Sequence, residues 1–352
     1  MSVIYINSFI SFAGALVDTA AITYGITSTG GVFNLRSSGT VDYEVDWGDG
    51  DVETSTLNVL PHTYAAGDYV LAIDTDDVYR PSFSNSGDED QLTSVAIGAE
   101  ADLGTNLTDA WFGANNMTSF VCPFDVTSSV TNFFAAWAAC SGLTSFPLID
   151  TSSGTSFIYA WQGCSGLSSF PAIDTSSGTN FYAAWQGCTG LTSFPLIDTS
   201  SGTNFTIAWA ACSGLTSFPL IDTSSGTSFY AAWQGCSGLT SFPAIDFGNG
   251  TIFFRGWNSC SGLSSFPANM FDATGTLSSN AFENAWSGCA LTAQSIENIL
   301  VSLDTNGASN IALGIDGGTN AHTSTWSAAA NAAWLSLDAK GWNITQNGPD
   351  PT

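Results

Sequence analysis

The chain has 352 residues, enough for two or three domains, and sets 30 acidic side chains against four basic ones, Arg36, Arg80, Arg255 and Lys340. The formal net charge of −26 argues against nucleic acid or anionic membrane as a partner, because both are held through Lys and Arg. Such a surface suits a salty extracellular medium, where screening weakens self-repulsion.

Residues 1–30 begin "MSVIYINSFISFAGALVDTAA", apolar but without Lys or Arg ahead of the apolar run and broken by Tyr, Asn and Ser. This does not match a cleaved signal peptide, and no apolar run is long enough to span a bilayer. The expectation is an anchor or oligomerisation segment, no membrane insertion, and release by a route such as host lysis. Over 31–82, "YEVDWGDGDVE" and "HTYAAGDYVLAI" read as strands of a β-sandwich, with Tyr43, Val45 and Trp47 alternating before a turn at Gly48-Asp49-Gly50. The "GDGD" of Gly48 to Asp51 reads as a hairpin turn rather than a metal loop, and His62 as a packing residue.

Over 87–289 the chain repeats itself. Trp137, Trp161, Trp185, Trp209, Trp233 and Trp257 are 24 residues apart, as are Cys140, Cys164, Cys188, Cys212, Cys236 and Cys260. The unit W-x-x-C-S-G-L-T-S-F-P-x-I-D-T-S-S-G-T-N-F-x-x-A predicts a solenoid in which each unit is one coil. Leu143, Phe146 and Leu148, or Leu167, Phe170 and Ala172, fit a strand with alternate side chains inward, and Phe181, Trp185 and Cys188 anchor the returning segment. Pro147, Pro171, Pro195, Pro219, Pro243 and Pro267 would each remove a ladder donor from that strand. Degenerate coils continue the array through Leu92, Val95 and Ile97, then Trp111, Ala114, Met117 and Phe120, and at the far end through Trp286 and Cys289 after an insertion from Phe271 to Asn280. Over 290–352, "AQSIENILVSL" and "TWSAAANAAWLSLDA" have helical spacing while "NIALGI" and "GWNIT" read as strands, an α/β cap on the solenoid. The fold class is mainly β.

The cysteines recur once per coil, without the clustering that zinc needs, and the only histidines are His62 and His322. Stacked coils would bring neighbouring Cys Cα atoms to about 5 Å, within disulfide range. A cysteine between Trp and Leu anchors also behaves as a small buried hydrophobe, so a ladder of buried free thiols is expected, with disulfides and metal or redox chemistry as alternatives. Asp150, Asp174, Asp198, Asp222 and Asp246 each precede a "TSSG"-like turn and are expected to cap it; the alternative is an Asp ladder that collects Ca2+. No other cofactor is expected. Repeated carboxylates share one environment, so no acid is separated from a nucleophile as a glycosidase requires, and no catalytic residue is assigned. The positions that vary most among coils are Ile158–Tyr159, Tyr182–Ala183, Thr206–Ile207, Tyr230–Ala231 and Phe254–Arg255. Tyr159, Tyr182, Thr206, Tyr230, Phe254 and Arg255 are therefore the expected ligand or subunit-contact face.

The W-x-x-C-S-G-L…F units resemble BspA-type leucine-rich-repeat surface proteins, and "VDWGDG" with "HTYAAGDYVLAI" resembles the PKD domain, a small β-sandwich. The order of these parts is similar to that in predicted tail-fibre or virion-surface proteins of aquatic bacteriophages. The resemblance implies a non-enzymatic adhesin on a virion surface, or alternatively an extracellular bacterial adhesin or a structural filament or decoration subunit. The partners it implies are a host cell-surface glycan or protein, other virion or surface proteins, and further copies of the chain as a homo-oligomer.

Overall fold

The structure, a computed structural model, describes residues 22–38, 41–83 and 87–351. The expected anchor segment lies outside the described residues up to position 21; its last nine residues open a strand. That strand, β1 (Ile22–Arg36), pairs antiparallel along its length with β4 (Val59–Asp74). β2 (Tyr43–Asp46) and β3 (Val52–Ser55) form the expected hairpin. With β5 (Leu92–Ile97) and β6 (Ser119–Val121) they make a single six-stranded sheet of order β3-β2-β4-β1-β5-β6.

The long β1–β4 ribbon changes its buried face along its length. Ile22, Tyr24 and Ile26 point inward in the first half of β1, Phe33 and Leu35 in the second, so the parity flips across Gly30-Gly31. Both halves pack against one ring, Phe83, which lies 5.5 Å from Tyr24 and 6.1 Å from Phe33. The first repeat strands are therefore not separate from the N-terminal unit: β5 pairs antiparallel with β1 and parallel with β6, so one sheet runs from that unit into the coils.

The coils follow the 24-residue period. Taking one as an example, the backbone from Phe181 to Cys188 divides its donors alternately. The N–H groups of Phe181, Ala183, Trp185 and Gly187 donate to the next coil at 2.8–3.0 Å, to Asn204, Thr206, Ala208 and Ala210. Those of Ala184, Gln186 and Cys188 donate three residues back within their own coil at 3.1–3.2 Å. Overlapping turns thus close the coil while a parallel ladder joins it to its neighbour, and no N–H in the run is orphaned.

The turns require left-handed backbone two residues before and two after each tryptophan, as at Ala183 (φ 52°) and Gly187 (φ 75°). The second position is Gly in five of eight coils, the first in none. Ile207, at φ 49°, is the most strained, because a branched Cβ crowds that conformation.

Opposite this run the chain is not the expected strand. Cys188, Leu191, Phe194 and Ile197 point inward at every third residue, and no strand forms there. Alternation fails at the outer leucines: Leu148, Leu196 and Leu220 are 52%, 66% and 63% exposed, while Ile149, Ile197 and Ile221 are buried. The prolines explain why. With hydrogen bonding between coils carried mainly by the other side, the missing Pro N–H interrupts no ladder, and a three-residue extended period suits the fixed proline φ.

Three aromatic columns run through the stack. Eight tryptophans from Trp111 to Trp286 stack face to face at 5.1–5.7 Å. Phe133 to Phe282 form a second column at 5.0–5.4 Å. Phe120 to Phe266 form a third at 5.6–6.2 Å, its rings nearly perpendicular to the indoles. The indole N–H groups in the column find no acceptor, which costs about 1–3 kcal/mol each and is offset by burial and stacking of the rings.

The C-terminal segment is α/β as expected, with α1 (Ala293–Asn306), β7 (Ala312–Ile315), α2 (Ala328–Ala339) and β8 (Asn343–Gln346). Thr292 and Ser327 cap the two helices by accepting from Ser295 and Ala330. α1 satisfies the last coil with side chains: Phe266 and Phe271 N–H donate to the Ser295 and Ser302 hydroxyls at 3.0 and 2.8 Å, and Asn298 donates to the Phe266 carbonyl at 2.8 Å. β7 and β8 pair in parallel, and Trp342 covers Phe282 at 6.3 Å.

Replacing Trp185 by Ala should destabilise the protein by about 3–5 kcal/mol in equilibrium unfolding, since it empties a large aromatic site, breaks the tryptophan column and removes its contacts with both phenylalanine columns. A loss below about 1 kcal/mol would contradict an inward tryptophan.

Candidate binding surface

The tryptophan–cysteine spacing that dominates the sequence serves the interior. Seven of the eight cysteines, all but Cys122, receive two roles from their place three residues after tryptophan. The N–H closes the turn onto the tryptophan carbonyl of its own coil, as Cys188 does to Trp185 at 3.2 Å. The thiol donates to the tryptophan carbonyl of the preceding coil, as Cys188 Sγ does to Trp161 at 3.1 Å. The same bond recurs from Cys140 to Cys289 at 3.0–3.1 Å. The first degenerate coil has Ala114 instead, and no tryptophan stands one coil before Trp111 for a thiol to reach.

All eight cysteines are free and buried. Burial pushes the thiols of Cys164, Cys212 and Cys289 up to about 12, and those of Cys140, Cys188, Cys236 and Cys260 well above their ordinary value. A shielded neutral thiol offers no thiolate to a metal or a disulfide.

The aspartates cap turns. Oδ1 of Asp150, Asp174, Asp198 and Asp222 accepts from the N–H two residues on at 2.9–3.0 Å, and Asp246 does the same from Gly248 at 2.7 Å. Hydrogen bonds from Ser200 hold the Asp198 carboxyl below its usual range. The threonine after each of the first four aspartates is buried and donates to the carbonyl of the next coil's aspartate, as Thr151 does to Asp174 at 2.5 Å; Phe247 takes that place after Asp246. Capping and stacking thus account for the D-T pair.

The side chains expected on a contact face lie along one outer row of the stack. Tyr159 meets Phe134 and Tyr182 edge to face at 5.7 and 5.2 Å. Thr206 bonds the Ser228 hydroxyl at 2.8 Å and separates this group from a second. There Tyr230 stacks on Phe254 at 5.1 Å, and the Arg255 guanidinium lies 5.2 Å from the Phe254 centroid. Tyr230 and Arg255 are exposed; Tyr159, Tyr182, Thr206 and Phe254 are half-buried.

Two of the variable partners, Ala183 and Ala231, are buried, against the expectation that both members of each pair face outward. Their bulk explains it. Two residues before tryptophan the coils read Ala135, Tyr159, Ala183, Ile207, Ala231, Arg255, alternating small and large. Tyr159 and Ile207 each have an alanine above and below, and Arg255 has Ala231 on one side and Asn284 on the other, so part of the variation is steric fitting between neighbouring coils.

Sequence reasoning missed a second outer row. Leu148, Ala172, Leu196, Leu220 and Ala244 occupy equivalent exposed positions on the proline side. It also missed a contact at the tip of the β2–β3 hairpin. His62 packs as expected, its ring stacked on Trp47 at 4.5 Å, but its Nε2 also lies 2.7 Å from Asp49 Oδ2.

The raised thiols set a pH dependence. Below about pH 9 the cysteines are protonated in both states, while above it unfolded thiols ionise and folded ones do not until about 12. The unfolded state then binds fewer protons, so stability falls as pH rises, by up to about 1.4 kcal/mol per pH unit for each thiol. Urea midpoints should drop steeply between these limits, and less steeply when Cys188 and Cys212 are both replaced by Ala. An equal slope in that variant would contradict the assignment.

No protein-family model, curated protein or solved structure matches the chain.

Proposed function

We propose that the chain is a non-enzymatic adhesion protein that recognises a host, a bacteriophage tail-fibre or virion-surface component made in the host cytoplasm and displayed on the particle. With this goes the finer fold reading: a PKD-like sandwich carrying a BspA-type leucine-rich-repeat solenoid with an α/β cap. The observation that carries the proposal is the outer row of Phe134, Tyr159, Tyr182, Tyr230 and Phe254, held in register by the stack. Repeated aromatic positions on a rigid support suit a glycan or protein surface, because several weak contacts made together gain affinity without any one being strong. The same row would serve a bacterial extracellular adhesin.

A second reading, a structural subunit, is favoured by the aliphatic row of Leu148, Leu196 and Leu220. Apolar side chains aligned on one face suit contact with further copies of the chain or with another virion protein. Replacing Tyr182 and Tyr230 together with Ser in the full chain tests the first reading, and replacing Leu196 and Leu220 together with Ser tests the second. Adhesion through the aromatic row predicts at least a tenfold loss of attachment to host cells or an immobilised glycan panel, with unchanged mass in light scattering. A fall in oligomeric mass of the leucine variant would favour the structural reading, and unchanged attachment by the folded tyrosine variant would overturn the adhesive row.

A further inference from the structure

We propose that Asp49, Asp51 and His62 bind a divalent transition-metal ion of the Zn2+ class. The sequence separates the histidine from the "GDGD" turn by more than ten residues, and the fold closes that gap. Asp49 and Asp51 belong to the connection between β2 and β3, whose ends are pinned by Trp47 N–H to the Asp51 carbonyl at 3.0 Å and Gly48 N–H to Asp46 Oδ1 at 2.9 Å. His62 comes from the neighbouring strand β4, opposite Phe33 of β1. One donor atom from each of the three side chains lies within 4.8 Å of the other two.

The imidazole is set in advance. Trp47 stacks on one face with an interplanar angle of 10°, and the Tyr64 ring stands edge-on at 4.6 Å, while the Tyr64 hydroxyl donates to the Trp47 carbonyl at 2.8 Å. This packing leaves Nε2 directed at the carboxylates. Oδ1 of Asp49 accepts from Asp51 N–H at 3.2 Å, which fixes that carboxylate with Oδ2 toward the ring. The Asp51 carboxylate is exposed and has no hydrogen-bond partner among the described residues. The ring and one carboxylate are therefore oriented, and the second carboxylate is at liberty to close on an ion.

The donor set selects the ion. One imidazole nitrogen with two carboxylates suits zinc and its neighbours, whereas calcium takes six to eight oxygens and gains little from a histidine. Around an ion with bonds of ~2.0–2.2 Å, three ligands stand about 3.3 Å apart. Opening the His62–Asp49 contact slightly and rotating the exposed Asp51 inward reaches that spacing. A neutral ring binds through Nε2 as the Nδ1–H tautomer, so the proton moves within the imidazole and none is lost; water completes the coordination. The two carboxylates neutralise the dication, and the −26 chain draws cations toward it.

The chain has two histidines, so imidazole NMR reads the site and carries its own control. His322 lies elsewhere, its Nδ1 accepting from Ser324 N–H at 3.2 Å. Titrating the full chain with Zn2+ should shift the His62 Nε2 resonance to saturation at one equivalent and leave His322 in place. Asp51→Asn should weaken this at least tenfold; its metal-free His62 spectrum, matching the wild type, reports an intact hairpin. A His62 resonance unmoved by excess Zn2+ in the wild-type chain overturns the site. So does equal affinity in the folded variant, and a response to Ca2+ as strong as that to Zn2+ overturns the class of ion.

Discussion

The alternation of backbone donors around each tryptophan sets the height and register of every coil. Where one N–H closes a turn and the next crosses to the neighbour, the coil is completed and stacked by the same short run, as from Phe181 to Cys188. Side chains then repeat at one coil's spacing, and the indoles meet at 5.1–5.7 Å because the ladder beneath them has no other register. The left-handed residues on either side of tryptophan are the conformational cost of this arrangement, about 1 kcal/mol or more where the residue is not glycine. Cysteine fits three residues later because a small apolar side chain ending in a weak donor can reach the carbonyl of the coil before.

Carrying most of the inter-coil ladder on one side releases the other. Proline is tolerated there, the inward period becomes three, and every third position from cysteine through leucine and phenylalanine to isoleucine is buried. The outward positions of that segment then carry leucine and alanine instead of a second buried row. The two ends are closed by different means. At the start, β5 and β6 extend the N-terminal sheet into the stack. At the end, Ser295, Asn298 and Ser302 of α1 meet backbone groups that another coil would otherwise have met.

Much of this was legible in the chain because it depends on strict repetition. The 24-residue period, the buried Trp, Phe and Cys, and the two terminal helices each follow from spacing alone. The proline segment is ambiguous in sequence because Leu143 and Phe146 stand three apart while Phe146 and Leu148 alternate; the burial of Ile149 rather than Leu148 shows that the three-residue period prevails. β1 was not visible because "ITYGITSTGGVFNLR" is rich in Gly, Ser and Thr and buries opposite faces in its two halves. The outer row was found from variation among coils, but variation also records steric fitting, which is how Ala183 and Ala231 came to lie inside. The contact of His62 with Asp49 joins β4 to a hairpin tip and has no periodic signal at all.

If the ladder sets the register, coils are interchangeable units and the chain length is constrained only in whole coils. Removing residues 185–208, one period of 24, joins Ala184 to Trp209 and keeps every column in step. Removing residues 185–207 leaves one residue too many, and each side chain beyond the cut falls out of line. Thiol titration of the native and denatured forms, with circular dichroism, reads the outcome. The account predicts a folded protein with seven buried thiols for the first deletion, since Cys188 leaves with the coil, and exposed thiols with lost structure for the second. Equal behaviour of the two deletions, folded or unfolded, would contradict it.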